Sequence, residues 1–282
     1  MQKRPEEKNA PYARPAAGNA LRSLFPGQSK SASERNFTKA GVALKRPKES
    51  NPQLDKKLAD ALKANVNNAD VPRMVQLIRK GADPHTTGQW GYTALYFAVA
   101  KDDVASAKEL LKLGSDPNPA EEEKEIPLHY AAFNGNTEML DLLAKHGAIL
   151  DHRGKYGETP LHKAVKRSNP GAIRRLLELG ADHRIRNEDG NTPLHTAVVM
   201  ELPDSVSALL LSKVDLDLKN KTGETALHMA AEKDNYRSAK RLLFAGANPL
   251  AKDSKGLTPL DRAHSDEMRE LFSKHISKNR PD

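Results

Sequence analysis

The sequence predicts an all-α solenoid of about seven repeats. Two marks in step point to it. A four-residue block returns every 33 residues, and a glycine returns with the same period. A third observation agrees with both: residues suited to capping a second helix also recur at steps of 33.

The block is fullest as Thr159-Pro160-Leu161-His162 and Thr192-Pro193-Leu194-His195. Looser copies are Thr93-Ala94-Leu95-Tyr96, Ile126-Pro127-Leu128-His129, Thr225-Ala226-Leu227-His228 and Thr258-Pro259-Leu260-Asp261. Thr caps a helix N-terminus. Pro suits the first helical position, where its missing N–H would be unpaired anyway, and Leu opens the apolar face. A second helix follows, capped by Asp70, Asp103, Asn136, Asn169 and Asn235, with Leu202 breaking the series. It ends at Gly81, Gly114, Gly147, Gly180 and Gly246, with Lys213 in the fifth place. The connecting hairpin has its own glycine at Gly91, Gly157, Gly190, Gly223 and Gly256.

Thr-Pro-Leu-His-x-Ala, two short helices, Gly-Ala-Asp and a hairpin together resemble the ankyrin repeat over roughly residues 55–277. The resemblance implies an ankyrin-repeat solenoid with short β-hairpin fingers, whose fingers and first helices form a concave groove. The units run 55–87, 88–120, 121–153, 154–186, 187–219, 220–252 and 253–277, followed by a frayed C-terminus at 278–282.

Composition bounds the function. The chain has no Cys, which excludes disulfides and thiolate zinc sites. No run of 18 apolar residues spans a membrane, and no apolar segment marks a secretory signal. The net charge of +8 sits in the tail: residues 1–54 hold 11 Lys and Arg against 4 Glu, and the remainder holds 34 basic against 33 acidic residues. Nucleic-acid binding by the repeats therefore has no support from charge.

Residues 1–54 are rich in Pro, Ala, Ser, Lys and Arg and read as a disordered basic tail. Within it, Asn19–Phe25 is a short apolar patch. Lys45, Arg46 and Lys48 fit a short nuclear-import signal, and Ser50 is a candidate phosphosite. Repeat 1 lacks the Thr block and carries Asp60-Ala61-Leu62-Lys63 in its place, as a capping repeat would. Repeat 2 brings Trp90, the only Trp, and Tyr92 to its finger, with Tyr96 in place of His and Phe97 after it. Repeat 3 loses the turn Gly and the Thr at Glu121–Ile126, so its finger should be reshaped, with its charge facing a basic partner or solvent. Repeat 3 carries net −4 and repeat 4 net +5, a polarised middle. Repeat 5, with Leu202 and Lys213, should hold the weakest internal helix. In repeat 7, Ser265 caps a last helix over Asp266–His275 with Met268, Leu271, Phe272 and Ile276 on one side. Leu77, Ile78, Leu110, Leu111, Leu142, Leu143, Leu176, Leu177, Leu209, Leu210, Leu242 and Leu243 are expected in the core.

No phosphate-binding Gly loop, zinc-protease His pair, calcium loop or nucleophile elbow is present, so no catalytic, cofactor or metal residue is expected. His129, His162, His195 and His228 lie one repeat apart, roughly 10 Å, too far to share a metal ligated at about 2 Å. The resemblance implies instead that each ties its helix start to the neighbouring hairpin. It also raises hairpin hydroxylation at Asn118 or Asp217.

The expected function is non-catalytic binding of another protein by a monomeric adaptor, with no small-molecule substrate, in the cytoplasm or the nucleus. The groove implied by the resemblance places Gln89, Trp90, Tyr92, Lys101, Glu122, Glu123, Phe133, Asn134, Tyr156, Lys166, Arg167, Glu188, Met200, Lys221, Glu232 and Lys233 against that partner. Two alternatives stand beside it. One is an effector that an intracellular bacterial pathogen translocates into a host cell. The other is the targeting subunit of an enzyme complex.

Overall fold

A computed structural model describes residues 50–63 and 66–278. Thirteen α-helices run through them: α1 (Pro52–Ala61), α2 (Val71–Arg79), α3 (Ala94–Ala100), α4 (Val104–Lys112), α5 (Pro127–Asn134), α6 (Thr137–Lys145), α7 (Pro160–Lys166), α8 (Pro170–Glu178), α9 (Pro193–Val199), α10 (Pro203–Leu211), α11 (Ala226–Glu232), α12 (Tyr236–Phe244) and α13 (Asp266–Lys278). The apolar patch at 19–25 and the basic cluster Lys45, Arg46 and Lys48 lie outside the described residues.

The local chemistry sets these boundaries. Asp70, Asp103, Asn136 and Asn235 each accept a backbone N–H of the second helix that they precede, at 3.0–3.1 Å. Asn169 departs from the series. Its amide donates to the carbonyls of Phe133 (2.9 Å) and Ala132 (3.4 Å) in the preceding repeat, and its side chain makes no cap bond to α8. Thr93 and Thr225 cap α3 and α11 through their hydroxyls.

Helices of one kind stack on their own kind. First helices α3, α5, α7, α9 and α11 form one row, and second helices α2, α4, α6, α8, α10 and α12 form the other. The core lies between the rows and runs the length of the stack from Leu58 to Phe272. Each unit thus buries its apolar faces against neighbours rather than within itself. The expected leucine pairs divide. Ile78, Leu110, Leu111, Leu143, Leu176, Leu209, Leu242 and Leu243 are buried, whereas Leu77, Leu142, Leu177 and Leu210 are half-buried at the edge of the core. The pairs sit at adjacent positions, and a helix turns about 100° between them, so both rarely face inward.

The fingers carry no β-strand among the described residues. Each is a five-residue turn whose ends are joined by one backbone bond, as in Gly88 N to Tyr92 O and Gly154 N to Glu158 O, both 2.8 Å, over a second bond inside it such as Gly157 N to Gly154 O at 3.0 Å. Neighbouring fingers are tied by single bonds from Glu122 N to Trp90 O, Glu188 N to Tyr156 O and Ser254 N to Thr222 O. Turns this short leave no length for a ladder.

The two ends differ from the sequence reading. In repeat 1 the block position Asp60-Ala61-Leu62-Lys63 does not open the first helix; α1 ends at Ala61. Asn51 caps α1, accepting from Gln53 N at 3.0 Å, so the helix takes in Pro52–Leu54, which the sequence reading places in the tail. A loop with a short 3-10 turn at Val66–Asn68 then leads to α2. At the other end, α13 runs to Lys278, past the expected His275, with Met268 and Phe272 buried and Ser265 Oγ accepting from Met268 N at 3.2 Å.

Repeat 5 lacks a side-chain cap at Leu202, as its sequence implies, and Lys213 is forced to φ +54° where the other repeats have Gly. One loss is offset. Asn169 and Asn235 donate to carbonyls at the end of the preceding first helix, and in repeat 5 buried Ser205 does so instead, from Oγ to Val165 O at 2.8 Å. The strain at Lys213 has no such remedy. At Gly81, Gly114, Gly147, Gly180 and Gly246 a Cβ would meet nothing within 4 Å, so backbone conformation alone favours Gly there. Lys213→Gly should therefore stabilise the array by about 1 kcal/mol. A urea melt that shows an unchanged or lowered midpoint would contradict this.

Candidate partner-binding surface

The histidine of each block is buried and uses both ring nitrogens. Nδ1 accepts the backbone N–H of Ile126, Thr159, Thr192 or Thr225, at 3.1–3.4 Å. Nε2 donates to a carbonyl of the next repeat: His129 to Glu158 (3.2 Å), His162 to Asn191 (3.1 Å), His195 to Glu224 (3.0 Å) and His228 to Leu257 (3.1 Å). An accepting Nδ1 and a donating Nε2 require the neutral Nε2–H tautomer. Burial favours that form. It lowers His129 to about 3 and His162 to about 4, and lowers His195 and His228 as well. These rings join repeats 3 to 7 in series.

The same position changes at both ends of the series. In repeat 2 it is Tyr96, which cannot reproduce the imidazole bonds. Tyr96 stacks on Tyr92 with centroids 3.9 Å apart and meets Tyr130 edge-on at 4.8 Å. The Tyr130 hydroxyl donates to Glu121 Oε1 at 3.2 Å. Glu121 in turn accepts from Glu123 N at 2.7 Å and Glu125 N at 3.3 Å, which holds the reshaped finger. In repeat 7 the position is Asp261, whose carboxylate takes the N–H and hydroxyl of Thr258, both at 2.7 Å. It caps its own turn and reaches no further repeat.

The acidic finger of repeat 3 is paired with lysines of repeat 4. Lys155 pairs with Glu123 and Lys163 with Glu125. Lys163 lies 3.5 Å from Glu158, which also accepts from Lys166 at 2.9 Å. Glu121, Glu125 and Glu158 are buried. The acidic finger is thus neither a solvated tip nor, apart from exposed Glu122, a surface offered to a basic partner. Like-charged residues in one repeat read as a patch in sequence, but the repeat interface brings the opposite charges into contact. Glu121, Glu123 and Glu125 each place an oxygen within 4.8 Å of the others, a spacing that a metal ion would accept. Lysine ammonium groups already neutralise two of the three. Gly154 makes room for this packing: a Cβ there would stand 2.8 Å from Glu125 Cγ and 3.0 Å from His129 Nε2.

The groove residues expected from sequence fall into two groups. Most have internal partners. Tyr92 is stacked, as above. Lys101 Nζ donates to Ala69 O at 2.8 Å, and Asn134 Nδ2 to Asp102 Oδ1 at 3.1 Å. The Phe133 ring lies under the Arg167 guanidinium at 4.5 Å. Glu123 and Lys166 belong to the ion pairs. Trp90 is half-buried, 6.1 Å from Tyr92. Tyr156 and Met200 are different, Tyr156 having only the Lys155 ammonium 5.3 Å from its ring centroid. They are 57% and 41% exposed and large, and no hydrogen bond engages either side chain. Tyr156 also sits at φ +58°, like Trp90 at +65°, a backbone conformation that disfavours a bulky residue. Lys101, Asn134, Arg167, Met200 and Lys233 occupy one position in successive repeats, so they form a row along the ends of the first helices.

Sequence reasoning missed Tyr130, Glu125 and Glu158. Their signal was the block itself, since the changes at Tyr96 and Ile126 call for compensating partners across the seam. The hydroxylation candidates already serve as ties between repeats. Asn118 Oδ1 accepts from Ile149 N at 2.8 Å, and Asp217 Oδ1 from Asn248 N at 2.9 Å. No helix among the described residues is long and apolar enough to cross a membrane.

Comparison with known proteins agrees with this architecture. Residues 61–154 match the family described as ankyrin repeats in three copies, and residues 142–197 and 210–263 match ankyrin repeats in many copies. Residues 189–221 match the single ankyrin repeat. Together these segments cover 61–263 without a gap. A similar solved structure is the ankyrin repeat domain of Bcl-3, described as a unique member of the IkappaB protein family. It shares 22% identity and has a TM-score of 0.69 over 80% of this chain and 100% of that one. It is one of 598 matching solved chains, so the likeness speaks to the fold and not to a particular partner. No curated protein matches the chain.

Burial raises Glu121 to about 7, with the like charges of Glu125 and Glu123 adding to the rise against the Glu123 amide. A carboxyl raised in the native state contributes stability below its unfolded value of 4.5 that is lost as pH rises through about 7. Glu121→Gln cannot ionise and keeps an oxygen for the Glu123 amide. Relative to the parent, it should gain on the order of 1–3 kcal/mol between about pH 5 and pH 8. Urea melts at both pH values check this; a difference independent of pH would refute it.

Proposed function

The chain belongs to the ankyrin-repeat family, and on that premise we propose that it is a non-catalytic adaptor that binds a partner protein along its fingers and first-helix ends. The observation that carries the reading is Tyr156. Its ring is 57% exposed at a finger tip, in a left-handed conformation that costs about 1 kcal/mol or more for a side chain of this kind. The turn needs this backbone conformation, since the Tyr156 carbonyl receives the Glu188 N–H, but it does not need a large aromatic side chain there. Rigid aromatics are favoured anchors at protein interfaces because they bury much area for little lost entropy.

Around Tyr156 the surface mixes chemistry that suits a protein chain. Met200 adds a flexible apolar contact. Arg167, stacked on Phe133, offers a pre-organised guanidinium, and Glu122 an exposed carboxylate. A partner segment bearing one aromatic or aliphatic anchor and charges of both signs fits this row. Trp90, Tyr92, Lys101, Glu123, Asn134 and Lys166 would support it through the contacts they make within the stack.

The test begins with capture and cross-linking of partners from cell lysate on the full chain, followed by titration of the captured protein. Tyr156→Ala with Met200→Ala should weaken binding by at least about tenfold, as expected for anchor residues. The melting curve should stay nearly unchanged, because both side chains are exposed. Full-strength binding by the double variant would remove the proposed surface.

A further inference from the structure

The second-helix side carries an apolar groove for which the stack has no use. It lies between α10 and α12, on the faces turned away from the core, and encloses about 950 Å³. Leu211 and Phe244 flank it, 74% and 76% exposed, the two most exposed large apolar residues among those described. They occupy one position in consecutive repeats. The same position is Arg79, Lys112, Lys145 and Glu178 in repeats 1 to 4, charged each time. The switch from charge to large apolar side chains is therefore confined to repeats 5 and 6.

The rim of the groove has one sign. Arg237, Lys240 and Arg241 are exposed along α12, and the lining contains no carboxylate. Arg241 donates to the carbonyl of Pro203 at 2.8 Å, and the Lys240 ammonium stands 5.9 Å from the Tyr236 ring. Neither they nor Arg237 has an acidic partner among the described residues. An occupant must bring apolar side chains for Leu211 and Phe244 and negative charge for the rim. The furrow between two packed helices suits a third helix laid along it. The chain's own segment 19–25 has the apolar residues, but it belongs to a tail of net charge +7 and faces like charge at the rim.

We infer that the groove between α10 and α12 is a second docking site, which takes an acidic amphipathic helix of a partner protein. The site is separate from the Tyr156 row, so one chain holds two partners at once.

Two synthetic peptides test it on the full chain. Both are helical, about 18 residues long, with Leu and Phe at i, i+3, i+4 and i+7. One has Glu at its remaining positions and its twin has Lys. The Glu peptide should bind at least about tenfold more tightly than its twin, and salt should weaken it. Leu211→Glu with Phe244→Lys, which installs residue types that repeats 4 and 3 carry there, should reduce Glu-peptide binding at least about tenfold without shifting the melting curve. Tyr156→Ala with Met200→Ala should leave it unchanged, which separates this site from the first. Equal binding of the two peptides, or binding indifferent to the groove variant, overturns the inference. So does Phe244-dependent binding to phosphatidylserine vesicles without peptide binding, which would make the groove a lipid contact. Signal loss at Leu211 and Phe244 from a spin label at Ser23→Cys would assign the groove to the tail and equally overturn it.

Discussion

The hydrogen bond from histidine Nε2 to a carbonyl of the next repeat, made at each seam from repeat 3 to repeat 7, sets the geometry on which the rest of the stack depends. No unit here could bury its own apolar faces. The carbonyls that receive these bonds belong to the finger that precedes the next first helix. One contact thus aligns a helix start, a finger and a neighbour together. The ring must be neutral to do this, and burial keeps it so. The series closes at each end by a change of side chain. Tyr96 replaces the imidazole with an aromatic cluster anchored on Glu121, and Asp261 caps its own turn where no further finger follows.

These internal demands explain why charge and aromaticity in the sequence overstate what the surface displays. The acidic finger of repeat 3 and the basic first helix of repeat 4 are complementary halves of one seam, with Glu125 and Glu158 on either side of Lys163. Such a network contributes less to stability than its charges suggest, since desolvation offsets the attraction, but it penalises any register that separates the partners. Once the seams have claimed their residues, little of large apolar character remains exposed. Tyr156 and Met200 remain on the finger side and Leu211 and Phe244 on the opposite side, with Ile149, Leu250 and Leu257 exposed singly in the connecting segments.

The repeat period, the helix starts and the histidine bonds were legible because each follows from a short local pattern with a known physical use. Thr-Pro-Leu-His specifies a cap, a start, a core contact and a seam within four residues. Legibility failed where a residue acts on a different repeat. Asn169 looks like the other caps, yet its amide serves the preceding helix. Leu202 looks like a plain defect, yet Ser205 restores the tie it lacks. Glu121 reads as a surface charge, yet it is the acceptor that holds its finger. Repeat 1 escaped for another reason: its first helix lies outside the register that the other units share. On the finger surface, residue type and position were readable, but exposure was not, and exposure is what separates Tyr156 from Tyr92.

The most direct measurement of the central claim is an NMR titration of the histidine rings in the intact chain. His129, His162, His195 and His228 should each show the Nε2–H tautomer, and the rings of His129 and His162 should hold one set of shifts from about pH 8 to pH 5, while His195 and His228 titrate below the ordinary histidine value of about 6.5. The stability that His129 and His162 contribute is then fully present above that value and is lost as pH falls towards about 3 for His129 and about 4 for His162. Rings that titrate near 6.5 in the folded state, or that carry the proton on Nδ1, would show that the seams are not joined by these bonds.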